Sequence, residues 1–158
     1  MDERERYRRG LAVRRAVLGD EHVDRALDDR SDLDMDFQDL ITRYAWGEVW
    51  ARPGLPRKTR SLLTLALMVA PGRGEELRMH LRAARRIGVT REEIGEVLLQ
   101  TAIYCGMPAA NAAFHLAAEV LAEEGLGRPG QARRRPRAGS TVPRSRIASR
   151  AGASRAAT

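Results

Sequence analysis

The stretch Arg82–Leu98, RAARRIGVTREEIGEVL, reads as helix, turn, helix. An Ala- and Arg-rich segment stops at Gly88, where a left-handed backbone suits a residue without Cβ. Thr90 and Glu93 have the spacing of a capping box, in which each side chain takes up the other residue's free backbone N–H. A turn of this kind also introduces DNA-reading helices, so the content of the second helix decides its meaning. A recognition helix offers polar and basic groups to base edges and phosphates. This one opens Arg91-Glu92-Glu93 and adds Glu96, which would set three carboxylates against the phosphates. The basic residues Arg78, Arg82, Arg85 and Arg86 lie on the preceding helix instead. The turn is expected to cap helices inside a bundle.

On both sides of it the pattern stays helical. Met1 to about Gly19 is a charged helix anchored by Leu11, Val17 and Leu18, followed by a short piece around His22–Asp28. Ser31–Asp36 supplies N-cap candidates for FQDLITRYAWGEVW, residues 37–50, which ends before Pro53-Gly54. Pro56 suits the first turn of PRKTRSLLTLALMVA, residues 56–70. The second half of that segment is apolar on nearly every side, so it is expected to be the buried central helix. Ile94, Val97, Leu98, Thr101, Ala102 and Cys105 form a three-four stripe. Gly106-Met107-Pro108 breaks it, and an Ala-rich helix runs from Pro108 to about Glu124. No alternating strand pattern competes.

Charge divides the chain. It carries a formal +7 over 158 residues, yet Gly127 to the end holds nine arginines and no acidic residue, while the rest has 19 basic against 21 acidic residues. The Pro, Gly, Ser, Ala and Arg composition of residues 127–158 cannot bury a core, so a disordered basic tail is expected after a folded domain over 1–126. The single cysteine, Cys105, forbids an intramolecular disulfide and suits a reducing cytoplasm. The opening MDERERYRRG is charged and no secretory apolar region follows. The uncharged run Val97–Ala118 has the length of a membrane span, but Gln100, Asn111, His115 and the Gly106-Met107-Pro108 break make it two buried helices. No membrane association is expected, and nucleic-acid binding is expected only as a nonspecific alternative through the arginine tail.

Taken together, RYAWGEVWARPGL (43–55), RSLLTLAL (60–67), HLRAARRIGVTREEI (80–94) and LLQTAIYCGMPAANAAFH (98–115) resemble the 4-carboxymuconolactone decarboxylase family. The resemblance runs from about Asp36 to Leu121. It implies an all-α, compact bundle of about six to seven helices with the scaffold of alkyl hydroperoxidase D. It also implies a homo-oligomer, a trimer or a hexamer, acting in protocatechuate catabolism. Members of that superfamily with peroxidase activity carry Cys-x-x-Cys with a histidine four residues on. Counted back from His80, those cysteines would fall at Arg73 and Glu76, and the peroxidase glutamate near Ser61. All three are absent, so dithiol cycling is excluded. Other readings are another small-molecule lyase, a peroxidase-like member, or a purely structural oligomer.

The implied substrate is a lactone with two carboxylates, and its product is 3-oxoadipate enol-lactone. Loss of carbon dioxide sends electrons into the unsaturated lactone, so no metal or organic cofactor is expected. The protein must hold a dianion, stabilise an oxyanion and protonate carbon. His80, in MHLRAA, is the acid the resemblance favours. The alternative is a buried histidine satisfied by a carbonyl. Glu48, between Trp46 and Trp50, either orients that imidazole or is a solvated helix-end carboxylate. Tyr104 is a donor into the same cavity or a core tyrosine. Arg43, Arg52 and Arg82 are expected to bind the carboxylates, beside Trp46, unless they are simply exposed. His115 is expected to cap or pack, and His22 lies outside the matched region. No His, Cys, Asp or Glu cluster has metal-ligand spacing.

Overall fold

The structure, a computed structural model, describes residues 2–125, and the regular secondary structure over them is all helical. The expected boundary at 126 and the basic tail 127–158 lie outside the described residues. The helices are α1 (Glu3–Leu18), α2 (Asp20–Asp28), α3 (Met35–Leu40), which runs on into a π-helical segment (Ile41–Trp50), α4 (Arg57–Val69), α5 (Gly74–Arg86), α6 (Arg91–Tyr104) and α7 (Met107–Glu123). Among the described residues no helix is long and apolar enough to cross a membrane.

The α5–α6 turn is built as its residues demand. Gly88 has φ +85°, and Thr90 and Glu93 close a reciprocal capping box, with the Thr90 N–H donating to the Glu93 carboxylate at 2.7 Å. Lys58 of α4 pairs with that same carboxylate at 2.8 Å, which ties the cap to the start of α4. The Arg85 guanidinium donates back to the Val89 carbonyl. Gly106, at φ +94°, turns α6 into α7, whose first turn takes Pro108. The start of α3 differs from expectation. Asp34 stands at its N-cap, but the carboxylate folds back onto the Ser31 N–H and hydroxyl, at 2.7 and 2.8 Å, and caps no helical N–H.

Two apolar clusters make the interior. The larger joins Leu65 and Val69 of α4, Leu77, Leu81 and Ala84 of α5, Ile94 and Leu98 of α6, and the Ala113–Leu121 face of α7. The smaller joins Val13, Val17 and Leu18 of α1, Val23 of α2, Trp46 of the π segment and Ala83 of α5. Each fully buried Leu or Val contributes roughly 1.5–3 kcal/mol. The helix shared by both clusters is α5. The apolar α4, expected to be central, buries only one face and leaves Leu63 and Leu67 exposed, Leu67 at 65 %.

The segment 37–50, expected as one α-helix, winds as α up to Leu40 and as π from Ile41. Its buried positions are Thr42, Trp46 and Gly47. It lies backbone to backbone against α1 at two glycines. A Cβ on Gly10 would strike the Thr42 carbonyl oxygen and sit 2.9 Å from the Gly47 nitrogen, and a Cβ on Gly47 would strike the Arg6 carbonyl. Arg9 fixes the crossing, its Nε donating to the Gly47 carbonyl at 2.9 Å. Overpacking of this kind costs typically about 1–3 kcal/mol. Gly10→Ala is therefore expected to lower the denaturant midpoint without changing the unfolding slope, and an unchanged midpoint would refute the close crossing.

Candidate active site

His80 lies at mid-height on α5, the helix both clusters share. Its neighbour Met79 packs toward the smaller cluster, while Leu77, Leu81 and Ala84 enter the larger one. The imidazole is therefore largely buried, and its Nδ1 has no hydrogen-bond partner among the described residues. Burial holds its pKa below the ordinary 6.5, the charge of His22 lowers it further, and Glu76 opposes both. His22, on α2, is depressed in the same direction, first by burial and then by Arg14 and Arg25. In the free protein at neutral pH both rings are neutral.

These shifts have a consequence for stability. A histidine whose folded pKa is depressed binds fewer protons when folded than when unfolded, at any pH between its lowered value and 6.5. Acidification from pH 7 through that window is expected to destabilise the fold. The test is urea unfolding at pH 7 and pH 5.5, with His22→Asn/His80→Asn as the comparison that flattens the dependence. Equal wild-type stability at both pH values would contradict it.

The remaining expected residues are distributed around the molecule. Arg82 follows His80 on α5 and pairs with Glu123 at 2.7 Å. It lines a cavity of about 610 Å³ between α2, α5 and the end of α7, whose wall mixes His22, Arg25, Arg78 and Arg86 with Glu21, Glu75 and Glu124. Trp46 is buried in the smaller cluster beside α5 and packs on Trp50, with ring centroids 4.9 Å apart. The structure thus draws His80, Arg82 and Trp46 onto or against one helix.

Glu48 turns instead to α1, where Arg6 Nε donates to it at 3.2 Å. Arg43 lies over the Tyr7 ring and pairs with Asp39 at 3.2 Å. Arg52 is exposed just beyond the π segment. Tyr104, at the end of α6, is 79 % exposed. These four are not gathered around His80 within one chain.

Of the positions tied to peroxidase chemistry, Ser61 is fully buried, and its Oγ has no partner among the described residues. Arg73 and Glu76 are exposed, and only Glu76 is felt by His80. Cys105 is free and half-buried. Among the described residues no group of three His, Cys, Asp or Glu side chains is arranged to hold a metal ion.

Arg14 was not singled out from the sequence. It is 4 % exposed, and its Nη1 and Nη2 donate to Thr42 Oγ1 at 3.1 Å and Gln38 Oε1 at 3.0 Å. The signal was present, because Arg14 sits three residues after Leu11 and four before Leu18, on the inward stripe of α1. Its charge and the length of its side chain hid it among exposed arginines.

This helical scaffold, with an uncommitted histidine on its shared helix, has known counterparts. Residues 35–119 match the model of the carboxymuconolactone decarboxylase family. Over 126 residues the chain is 53 % identical to 4-carboxymuconolactone decarboxylase of Acinetobacter baylyi, covering 80 % of this chain and 94 % of that protein. It is 50 % identical over 99 residues to nitrosuccinic acid decarboxylase of Metarhizium robertsii, covering 63 % of this chain and 69 % of that one. A 48-residue 4-carboxymuconolactone decarboxylase sequence from Pseudomonas putida is 56 % identical along its whole length, which is 30 % of this chain. Since the matched segment includes the π segment, the capped α5–α6 turn and His80, the chain belongs to the carboxymuconolactone decarboxylase family.

Proposed function

We propose that this protein decarboxylates 4-carboxymuconolactone to 3-oxoadipate enol-lactone in protocatechuate catabolism, in the cytoplasm. The observation that carries the reading is His80, a largely buried imidazole with an unpaired Nδ1 on the helix shared by both cores. Departure of carbon dioxide leaves an electron pair, which the unsaturated lactone accepts as a dienolate. That electron sink belongs to the substrate, so the reaction calls for no metal or organic cofactor. Carbon is then protonated, and His80 is the donor. The neutral ring of the free protein takes up its proton when a dianion binds nearby, because an opposite charge favours imidazolium. Arg82 and Trp46 border the bound lactone from α5 and the π segment.

The functional unit is a trimer or a hexamer. Leu63 and Leu67 on α4, Leu99 and Ile103 on α6, and Met107 at the start of α7 leave apolar surface uncovered in the single chain. Assembly covers it. In that unit Tyr104, which stands on the same end of α6, and the arginines Arg43 and Arg52 are available to substrate held by a neighbouring copy. Glu48 acts indirectly, by fixing Arg6 and the π segment.

A second acid has a specific claim, since the fungal relative is named for nitrosuccinic acid. That molecule also bears two carboxyl groups and carries its own electron sink, a nitro group. Carbon dioxide release from the two acids, measured side by side, decides between them. The lactone is expected to have the higher kcat/KM by about 100-fold or more, a difference of roughly 2.7 kcal/mol in transition-state binding. Preference for nitrosuccinate would reassign the substrate.

A further inference from the structure

Arg6, Gly10 and Arg14 stand four residues apart, on one face of α1, and that face lies against segment 37–50. At one end Arg6 Nε donates to Glu48 at 3.2 Å, and in the middle Gly10 touches the Thr42 carbonyl. At the other end Arg14 Nη1 donates to Thr42 Oγ1 at 3.1 Å, and Nη2 to Gln38 Oε1 at 3.0 Å. Gln38 belongs to α3 and Thr42 to the π segment, so this fork straddles the change of winding between Leu40 and Ile41. The Thr42 hydroxyl closes the same junction by donating to the Gln38 carbonyl at 2.8 Å.

The crossing depends on that change of winding. Thr42 and Gly47 both face α1, since a Cβ on Gly10 would strike the Thr42 carbonyl and one on Gly47 the Arg6 carbonyl. In an α-helix of 3.6 residues per turn the two positions would stand roughly 140° apart. A π-helix, in which each N–H bonds five residues back, brings them onto one side. The same winding buries Trp46 in the smaller cluster, beside Met79 and Ala83, which lie on either side of His80 along α5.

An arginine is a costly group to place at this junction. Arg14 is buried, and none of the ion pairs formed among the described residues involves it. Its Nε has no hydrogen-bond partner among them either. A buried guanidinium without a counter-ion destabilises a fold relative to an apolar side chain of similar length. Its removal would also strand no buried partner, because Thr42 keeps the Gln38 carbonyl and the Gln38 side chain is only half-buried. What the guanidinium adds is direction. An apolar contact slides at little cost, whereas a fork of hydrogen bonds fits one register.

We propose that Arg14 is a positioning residue for the decarboxylation: it fixes the point at which α winding gives way to π, and through it the seat of Trp46 against α5. This rests on the reading of Trp46 as a wall of the lactone site. Arg14 acts through Gln38 and Thr42, and Thr42 stands one turn before Trp46 on the buried side of the π segment. The fold gives up stability at this junction in exchange for a single register.

The test is Arg14→Met, characterised by urea unfolding, lactone kinetics and near-ultraviolet circular dichroism. Trp46 and Trp50 are the two tryptophans of the chain, with ring centroids 4.9 Å apart, so their coupled signal reports on the π segment. Arg14→Met is expected to unfold at the wild-type urea midpoint or above it. Its tryptophan signal is expected to weaken, and kcat/KM for the lactone to fall roughly 10- to 100-fold, as for a misplaced site wall. Gln38→Met, which removes one acceptor of the fork from a half-buried position, is expected to move both readouts the same way by less. A guanidinium that only braces the fold would give the opposite pattern, a lower midpoint with a wild-type tryptophan signal. That pattern, an Arg14→Met that does not fold, or wild-type signal and turnover in both variants would overturn the assignment. A weakened signal with unchanged lactone kinetics would keep the register and remove Trp46 from the substrate site, which overturns the catalytic half. A wild-type protein that leaves the lactone untouched discards the substrate, and the urea midpoint and tryptophan signal still decide the register.

Discussion

Replacing His80 by glutamine is expected to lower kcat by about 10²–10⁴-fold, the usual worth of general acid catalysis. At 1.36 kcal/mol per tenfold this is roughly 3–5 kcal/mol of barrier. Glutamine retains a hydrogen-bonding head of similar reach but cannot titrate. The loss therefore reports proton donation and not packing. The melting temperature changes little by comparison, because His80 Nδ1 has no partner whose loss would be felt. His80→Ala is similarly slow. Steady-state rates and thermal melts on the same samples check both halves. Near-normal turnover in His80→Gln would remove His80 as the acid, and Tyr104 would become the leading donor.

A charge placed on the uncovered apolar face should separate the subunits. Leu67 and Ile103 are 65 % and 71 % exposed in the single chain, on the neighbouring helices α4 and α6. If assembly buries them, glutamate at either position is left as an unpaired charge, which costs roughly 3–5 kcal/mol. That is about a hundredfold or more in the dissociation constant of each interface. Leu67→Glu and Ile103→Glu are expected to sediment as single protomers near 17.6 kDa at micromolar concentration, and the wild type as a trimer or a hexamer. The chain folds around two cores that do not include these residues, so the variants stay helical. A wild type that is already monomeric would refute the assembly.

These two sites also show what was legible in the sequence. Local chemistry read well. Gly88, the Thr90–Glu93 box, and the Gly106-Met107-Pro108 break each impose a backbone geometry through residues close in the chain, and each does so in the structure. The one-sided burial of α4 did not read, because an apolar residue left exposed looks the same in sequence as one facing the core. Leu63 and Leu67 are of the first kind on this account, Leu65 and Val69 of the second. The π winding from Ile41 was equally hidden. It is linked to the close crossing at Gly10 and Gly47, a contact between residues 37 apart that no local pattern announces.

The site was legible only in part, for a related reason. The inward position of His80 could be read from its spacing to Leu77 and Ala84. Arg14 has the same kind of inward position, between Leu11 and Leu18, but its charge and length hid it among exposed arginines. Glu48 could be placed among the tryptophans but not paired with Arg6, 42 residues away.

The central claim is that this chain alone removes carbon dioxide from a dianionic unsaturated lactone. It is tested most directly by quantifying carbon dioxide and product when the purified protein, treated with a chelator and dialysed free of small molecules, meets 4-carboxymuconolactone in a single turnover. The account predicts one carbon dioxide and one 3-oxoadipate enol-lactone per lactone consumed, at a rate the chelator does not change. No carbon dioxide, or turnover that the chelator abolishes and a metal ion restores, would contradict it.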